Sequence, residues 1–137
     1  MIERLEPQAD NPCIGCGAAN PRSLRLAFDL DREQRRVTGR FTLNREYQGS
    51  NHILHGGITA LILDEAMGKL NRLNGGRAVT AELQVEYLRP IATGEEITVE
   101  ANEVSREGRN LHQRAEIRNA AGAVLARARG RFVTLRS

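Results

Sequence analysis

The stretch from Gly56 to Leu73 constrains this chain more than any other part of it. It is rich in good helix formers and repeats apolar residues at three- and four-residue spacing: Ile58, Leu61, Ile62, Ala66, Leu70 and Leu73. Ala60, Leu63 and Met67 are apolar as well, so the first half is hydrophobic around most of its circumference. A helix of that kind must be buried on more than one side. Asn74-Gly75-Gly76 ends it. Whatever surrounds this helix therefore has to wrap it.

The flanking segments have the period of strands. Leu24, Leu26 and Phe28 alternate with polar or small residues, as do Val37, Gly39, Phe41 and Leu43, and Asp31-Arg-Glu-Gln34 lies between them as the turn of a hairpin. After the helix come Val79-Ala81-Leu83-Val85-Tyr87, Ile97-Val99-Ala101, Leu111-Gln113-Ala115-Ile117, and Val124 through Leu135. Gly94-Glu95, Glu107-Gly108 and Ala121-Gly122 supply the turns of an antiparallel meander. Residues 1–22 carry Pro, Asn, Gly and Cys without a hydrophobic period and read as an irregular lead-in. At 137 residues the chain is long enough for one core and too short for two. The expectation is a single α+β domain, an antiparallel β-sheet wrapped around one long central helix.

Charge narrows the partners. The net charge is +3 and the isoelectric point about 9.4, yet the basic residues are interleaved with Asp and Glu, and aromatics are only 4% of the chain. That is too few for a platform on which single strands stack, so no nucleic acid is expected. Arginine grips phosphate through two parallel hydrogen bonds, which suits a small ligand with several phosphates. No apolar run reaches the roughly 20 residues of a membrane span, and Met1-Ile2-Glu3-Arg4-Leu5-Glu6 lacks a signal-peptide pattern, so the cytoplasm is the expected location. His52, His55 and His112 show no metal-ligand spacing, and there is no serine-hydrolase elbow, phosphate-binding loop or dinucleotide fingerprint. Neither a metal nor a cofactor is expected. Cys13 and Cys16 form a C-x-x-C among Pro and Gly, read as a tight turn with reduced thiols, with a zinc shared between subunits left open.

Two features of the helix carry chemistry. Gly56 and Gly57 at its start would let a ligand approach free backbone N–H groups at the positive end of the helix dipole, where charge on a carbonyl oxygen is stabilised. Asp64 has only Ala60, Leu61, Met67 and Gly68 as helical neighbours, an environment that raises a carboxyl pKa and makes a better base. Glu65 has Lys69 four residues on and reads as a solvated surface pair. Gly57 and Asp64 are seven residues apart, roughly 10 Å along a helix at about 1.5 Å per residue. One chain cannot bring both to one carbonyl, whereas two antiparallel helices in a two-fold homodimer can.

With these residues in place, His55-Gly-Gly-Ile-Thr-Ala-Leu-Ile-Leu-Asp64-Glu-Ala-Met-Gly resembles the helix of hotdog-fold thioesterases of the phenylacetic-acid-degradation type. Thr80-Ala-Glu-Leu-Gln-Val-Glu-Tyr-Leu-Arg-Pro90 resembles that family's next strand, and the Cys13–Pro21 lead-in resembles one subgroup. The resemblance implies hydrolysis of an acyl-CoA or related thioester, with Asp64 as general base or nucleophile, the Gly57 N–H polarising the carbonyl, and His55 in a positioning role. It implies a homodimer, with a homotetramer built as a dimer of dimers. It matches a polar strand residue to Thr80, although Thr80 alternates with Val79, Ala81 and Leu83 and should point away from the apolar face. Many relatives place Asn six residues before the His, where this chain has Gly49; Gln48 or Asn51 is the nearest substitute. Gly56, Leu61, Arg89 and Arg109 complete the expected substrate contacts, and Tyr47 and Met67 bear on pocket depth. Two other readings remain open at this level, a hydratase or dehydratase of an enoyl or hydroxyacyl thioester, and a non-catalytic acyl-CoA-binding module.

Overall fold

The computed structural model describes residues 1–135. Seven strands and one α-helix follow in the order β1 (Ile2–Leu5), β2 (Phe28–Asp31), β3 (Arg36–Thr42), α1 (Gly56–Lys69), β4 (Ala78–Tyr87), β5 (Glu96–Glu107), β6 (Asn110–Asn119) and β7 (Val124–Thr134). All seven strands join one antiparallel sheet of order β1-β2-β3-β5-β6-β7-β4, with α1 packed across it. This is the expected hotdog arrangement. Among the described residues no helix is long and apolar enough to cross a membrane.

The helix buries Ile62, Leu63, Ala66 and Met67, with Leu70 just beyond its end. Against them the sheet sets Phe28, Leu30, Val37, Ile97, Val99 and Ile117, all at most 1% exposed. Each such side chain contributes about 1.5–3 kcal/mol by leaving water. Ile58 and Leu61 pack on the same core but stay partly exposed. After Lys69 the helix tightens into a 3₁₀ turn, Leu70–Asn74, and Gly75 at φ 72° closes it in the left-handed region that favours glycine. The expected stop at Asn74-Gly75-Gly76 holds.

Three expectations need correction. The lead-in is not wholly irregular: Ile2–Leu5 pairs with Phe28–Asp31, because Leu5 is buried over the core while Ile2 faces out. The first hairpin strand begins at Phe28 rather than Leu24; Leu24 and Leu26 instead donate their backbone N–H groups to the Cys loop, Leu24 N–H to Ile14 O and Leu26 N–H to Gly15 O. The four later strands are not one meander. β5, β6 and β7 are, but β4 crosses over to lie beyond β7 at the sheet edge, so the strand after the helix is the outermost one.

Candidate active site

The edge strand β4 runs alongside α1 and decides which of its side chains reach the helix. Thr80 pairs with Phe132 and Glu82 with Arg131, so Ala81 is an extra residue in a β-bulge. The bulge shifts the alternation by one. Leu83 and Val85 face the core below it, and Thr80 faces the helix above it. The strict-alternation expectation that Thr80 points away is thereby overturned. Its hydroxyl donates to Asp64 Oδ1 at 2.7 Å.

Asp64 is half-buried on the helix face that this strand covers. Burial pushes its carboxyl above the ordinary carboxylate range, the Thr80 hydroxyl pulls it back in part, and the neighbouring Glu65 charge raises it further. The carboxylate thus has one oxygen fixed by Thr80 and a second oxygen for another partner. Asp64 and Thr80 line a cleft of about 650 Å³ together with Glu65, Lys69, Arg77 and Phe132.

The helix start lies at another cleft. His55 is the N-cap residue, and its Nδ1 accepts the Gly57 N–H at 2.8 Å. The glycine N–H expected to be free is therefore capped by the side chain assigned a positioning role. Tyr87, at the far end of β4, donates its hydroxyl to Gly56 O at 2.7 Å and ties the helix start to the sheet edge. Sequence reasoning assigned Tyr87 only to the strand; the available signal was a residue of core parity carrying a polar tip. Gly56, Tyr87, Arg89 and Ile53 line this second cleft, about 320 Å³. Helix start and Asp64 open on different clefts of one chain, in keeping with their separation along the axis.

The remaining expected residues divide. Arg89 does lie at the helix start. Gln48 and Asn51 are exposed in the preceding loop, where Gln48 Oε1 accepts the His52 N–H at 3.0 Å. Gly49 packs against His55 closely enough that a Cβ there would lie 3.2 Å from His55 Cα, so a side chain at this position would ask the cap residue to give by a few tenths of an ångström. Leu61 is partly buried beside the core. Arg109 is not brought to either cleft: its Nε and Nη2 donate to Thr134 O at 3.1 and 2.9 Å and brace the β6 start. Glu65 also departs from expectation. It accepts from Cys13 Sγ at 3.2 Å, and Lys69 donates to Cys16 Sγ at 3.0 Å rather than pairing with Glu65. A further hollow, lined by Glu86, Arg114 and Arg127 among others, holds the ion pair of Arg127 Nε with Glu86 at 3.1 Å.

Comparison with known proteins agrees with this geometry. The sequence pattern of the thioesterase superfamily matches residues 51–126, which include the helix and β4. A curated Archaeoglobus fulgidus protein, named as a candidate esterase, is 26% identical over 88 residues, 64% of this chain and 57% of its own length. A solved thioesterase superfamily protein is 31% identical with a TM-score of 0.81, covering 89% of this chain and 60% of that one. The chain thus spans less than two thirds of either. The Escherichia coli PaaI protein of the phenylacetic acid degradation operon shares the fold at 20% identity and TM-score 0.71, over 76% of this chain and 75% of its own. So does a Streptococcus pneumoniae thioesterase protein solved with coenzyme A, at 17% identity and TM-score 0.70, over 72% and 80%. Two variants from that organism, with an aspartate and, sixteen residues on, a threonine replaced by alanine, have also been solved. With a pattern match over more than half its length, carried on a hotdog sheet and helix, this chain belongs to the thioesterase superfamily.

Proposed function

We propose that the protein hydrolyses an acyl-CoA thioester to a carboxylic acid and free coenzyme A, at two equivalent sites across a two-fold homodimer. The observation that carries the reading is the Thr80–Asp64 hydrogen bond on an otherwise apolar helix face. It fixes one carboxylate oxygen and leaves the other to take a proton from water. The water oxygen then bonds to the thioester carbon, the carbonyl becomes an oxyanion, and the tetrahedral adduct collapses with cleavage of the C–S bond. The departing thiolate recovers the proton from Asp64. Asp64 acting directly as nucleophile would use the same contacts.

The oxyanion would be met by the helix start of the other subunit, through the Gly57 N–H and the helix dipole. Because His55 Nδ1 occupies that N–H here, the substrate carbonyl must displace it, so His55 holds the donor shielded until substrate arrives. This cap also counts against a hydratase, which would need His55 poised for proton transfer beside a carboxylate. The dimer is supported by the exposed edge of β4 and by the half-exposed Ile58 and Leu61 on α1, surfaces that a second copy would cover. Coenzyme A in the Streptococcus pneumoniae relative supports the substrate class, and its aspartate–threonine spacing equals that of Asp64 and Thr80. Arg89 lines the same cleft as Gly56, which supports a role in meeting phosphate.

The test is thiol release from short, long and aromatic acyl-CoAs by the wild type and by Asp64→Asn, with sedimentation to read the assembly. Asp64→Asn is expected to lose turnover while keeping its circular dichroism spectrum. Turnover at the wild-type rate in that variant overturns the assignment, and an active monomer at micromolar concentration overturns the shared site.

A further inference from the structure

The hydrolytic reading makes no use of the Cys loop, yet that loop is built tightly onto the helix. Cys13 Sγ, Cys16 Sγ and a Glu65 carboxylate oxygen lie within 4.8 Å of one another. Both glycines of Cys13-Ile-Gly-Cys-Gly17 leave room for this approach, and at Gly17 the obstacle to a side chain is backbone. A Cβ on Gly15 would lie 2.6 Å from Glu65 Oε1, and one on Gly17 would lie 2.1 Å from the Asn11 backbone oxygen. Around the sulfurs stand N–H donors: Gly15 N–H points to Cys13 Sγ at 3.3 Å, and Lys69 Nζ to Cys16 Sγ at 3.0 Å. Glu65 is half-buried, and among the described residues its carboxylate has no ion pair, only the weak Cys13 S–H donor.

We propose that Cys13, Cys16 and Glu65 bind a divalent cation of the zinc type, which clamps the N-terminal loop onto α1 beside the Asp64 cleft. Two thiolates and one carboxylate are the ligand types that select zinc over magnesium or calcium, and three protein ligands leave a fourth position for water. The charges close. Binding releases the two thiol protons to solvent, so the site then carries two thiolates, one carboxylate and a divalent cation, a sum of −1 that the Lys69 ammonium neutralises. Lys69 would donate to the Cys16 sulfur from outside the ligand set and steady that thiolate. The residues come from one chain, so the site differs from a zinc shared between subunits.

Cobalt(II) titration of the thiol-reduced protein tests it, with free thiols counted beforehand by a colorimetric reagent. One equivalent of cobalt should give thiolate-to-metal absorption in the near ultraviolet and the visible bands of tetrahedral coordination, with zinc displacing it. Cys13→Ser and Cys16→Ser should each abolish the near-ultraviolet intensity expected of two sulfurs, and Glu65→Gln should weaken binding by about tenfold or more. Glu65→Gln leaves the loop's cysteines intact and so keeps the test valid if a cysteine variant fails to fold. Absence of these bands with two reduced thiols present, or cobalt binding unchanged in Glu65→Gln and both serine variants, overturns the site. So does a protein whose thiols simply pair as a disulfide and which takes up no metal after reduction.

Discussion

Asp64 and Glu65 are adjacent carboxylates on one turn of α1, and different elements supply their hydrogen-bond donors. About 100° of helical rotation separates them, so Asp64 meets edge strand β4 while Glu65 meets the Cys loop. Asp64 receives a strong hydroxyl donor at 2.7 Å. Glu65, which lines the same cleft, receives a weak thiol donor at 3.2 Å beside the two cysteine sulfurs. The difference teaches that residue type does not assign the role of a half-buried carboxylate. The element packed over it does.

The largest expected effect breaks the pair apart. Asp64→Asn should lower kcat/KM for acyl-CoA by about 10²–10⁴, the range of a lost general base, whereas Glu65→Gln should cost less than tenfold in the same thiol-release assay. Equal losses would mean that the two carboxylates share one role. Next, Thr80→Val keeps the shape of the strand residue but removes the donor to Asp64. It should lower kcat by about tenfold, with KM nearly unchanged, as one transition-state contact is weakened. A fall in binding without a fall in kcat would assign Thr80 to substrate contact instead.

The helix start gives the smaller effects. Tyr87→Phe removes the hydroxyl bonded to Gly56 O and should destabilise the fold by about 1 kcal/mol, read as a shift in denaturant midpoint, with a few-fold change in turnover. His55→Ala removes the cap on the Gly57 N–H and should likewise cost about 1 kcal/mol of stability. If His55 shields that donor from solvent until substrate arrives, the variant should change kcat less than Asp64→Asn does by at least two orders of magnitude. A loss as deep as that of Asp64→Asn would give the imidazole a direct chemical part.

Much of the fold was legible before any coordinates. The periods at Ile58–Leu73, Ile97–Ala101 and Leu111–Ile117 reflect burial on one or both faces of an element, and burial is local to the chain. Strand order was not legible, because period-two alternation says which face is buried and nothing about the neighbour. β4 therefore read as the first strand of a meander when it is the edge beyond β7. The short β1 was hidden for a related reason: four residues with a single buried side chain, Leu5, leave too little pattern to distinguish from loop.

The same division runs through the site. By itself the sequence determined the apolar helix, its glycine-led start and an acid at Asp64, since these rest on residue type and helical spacing. Only the tertiary structure decided that one extra residue at Ala81 turns Thr80 toward that acid, that His55 occupies the Gly57 N–H, and that a loop fifty residues away brings Cys13 to Glu65. Each depends on where a separate segment lies in space, and a bulge or a loop approach leaves almost no periodic trace in the chain that makes it.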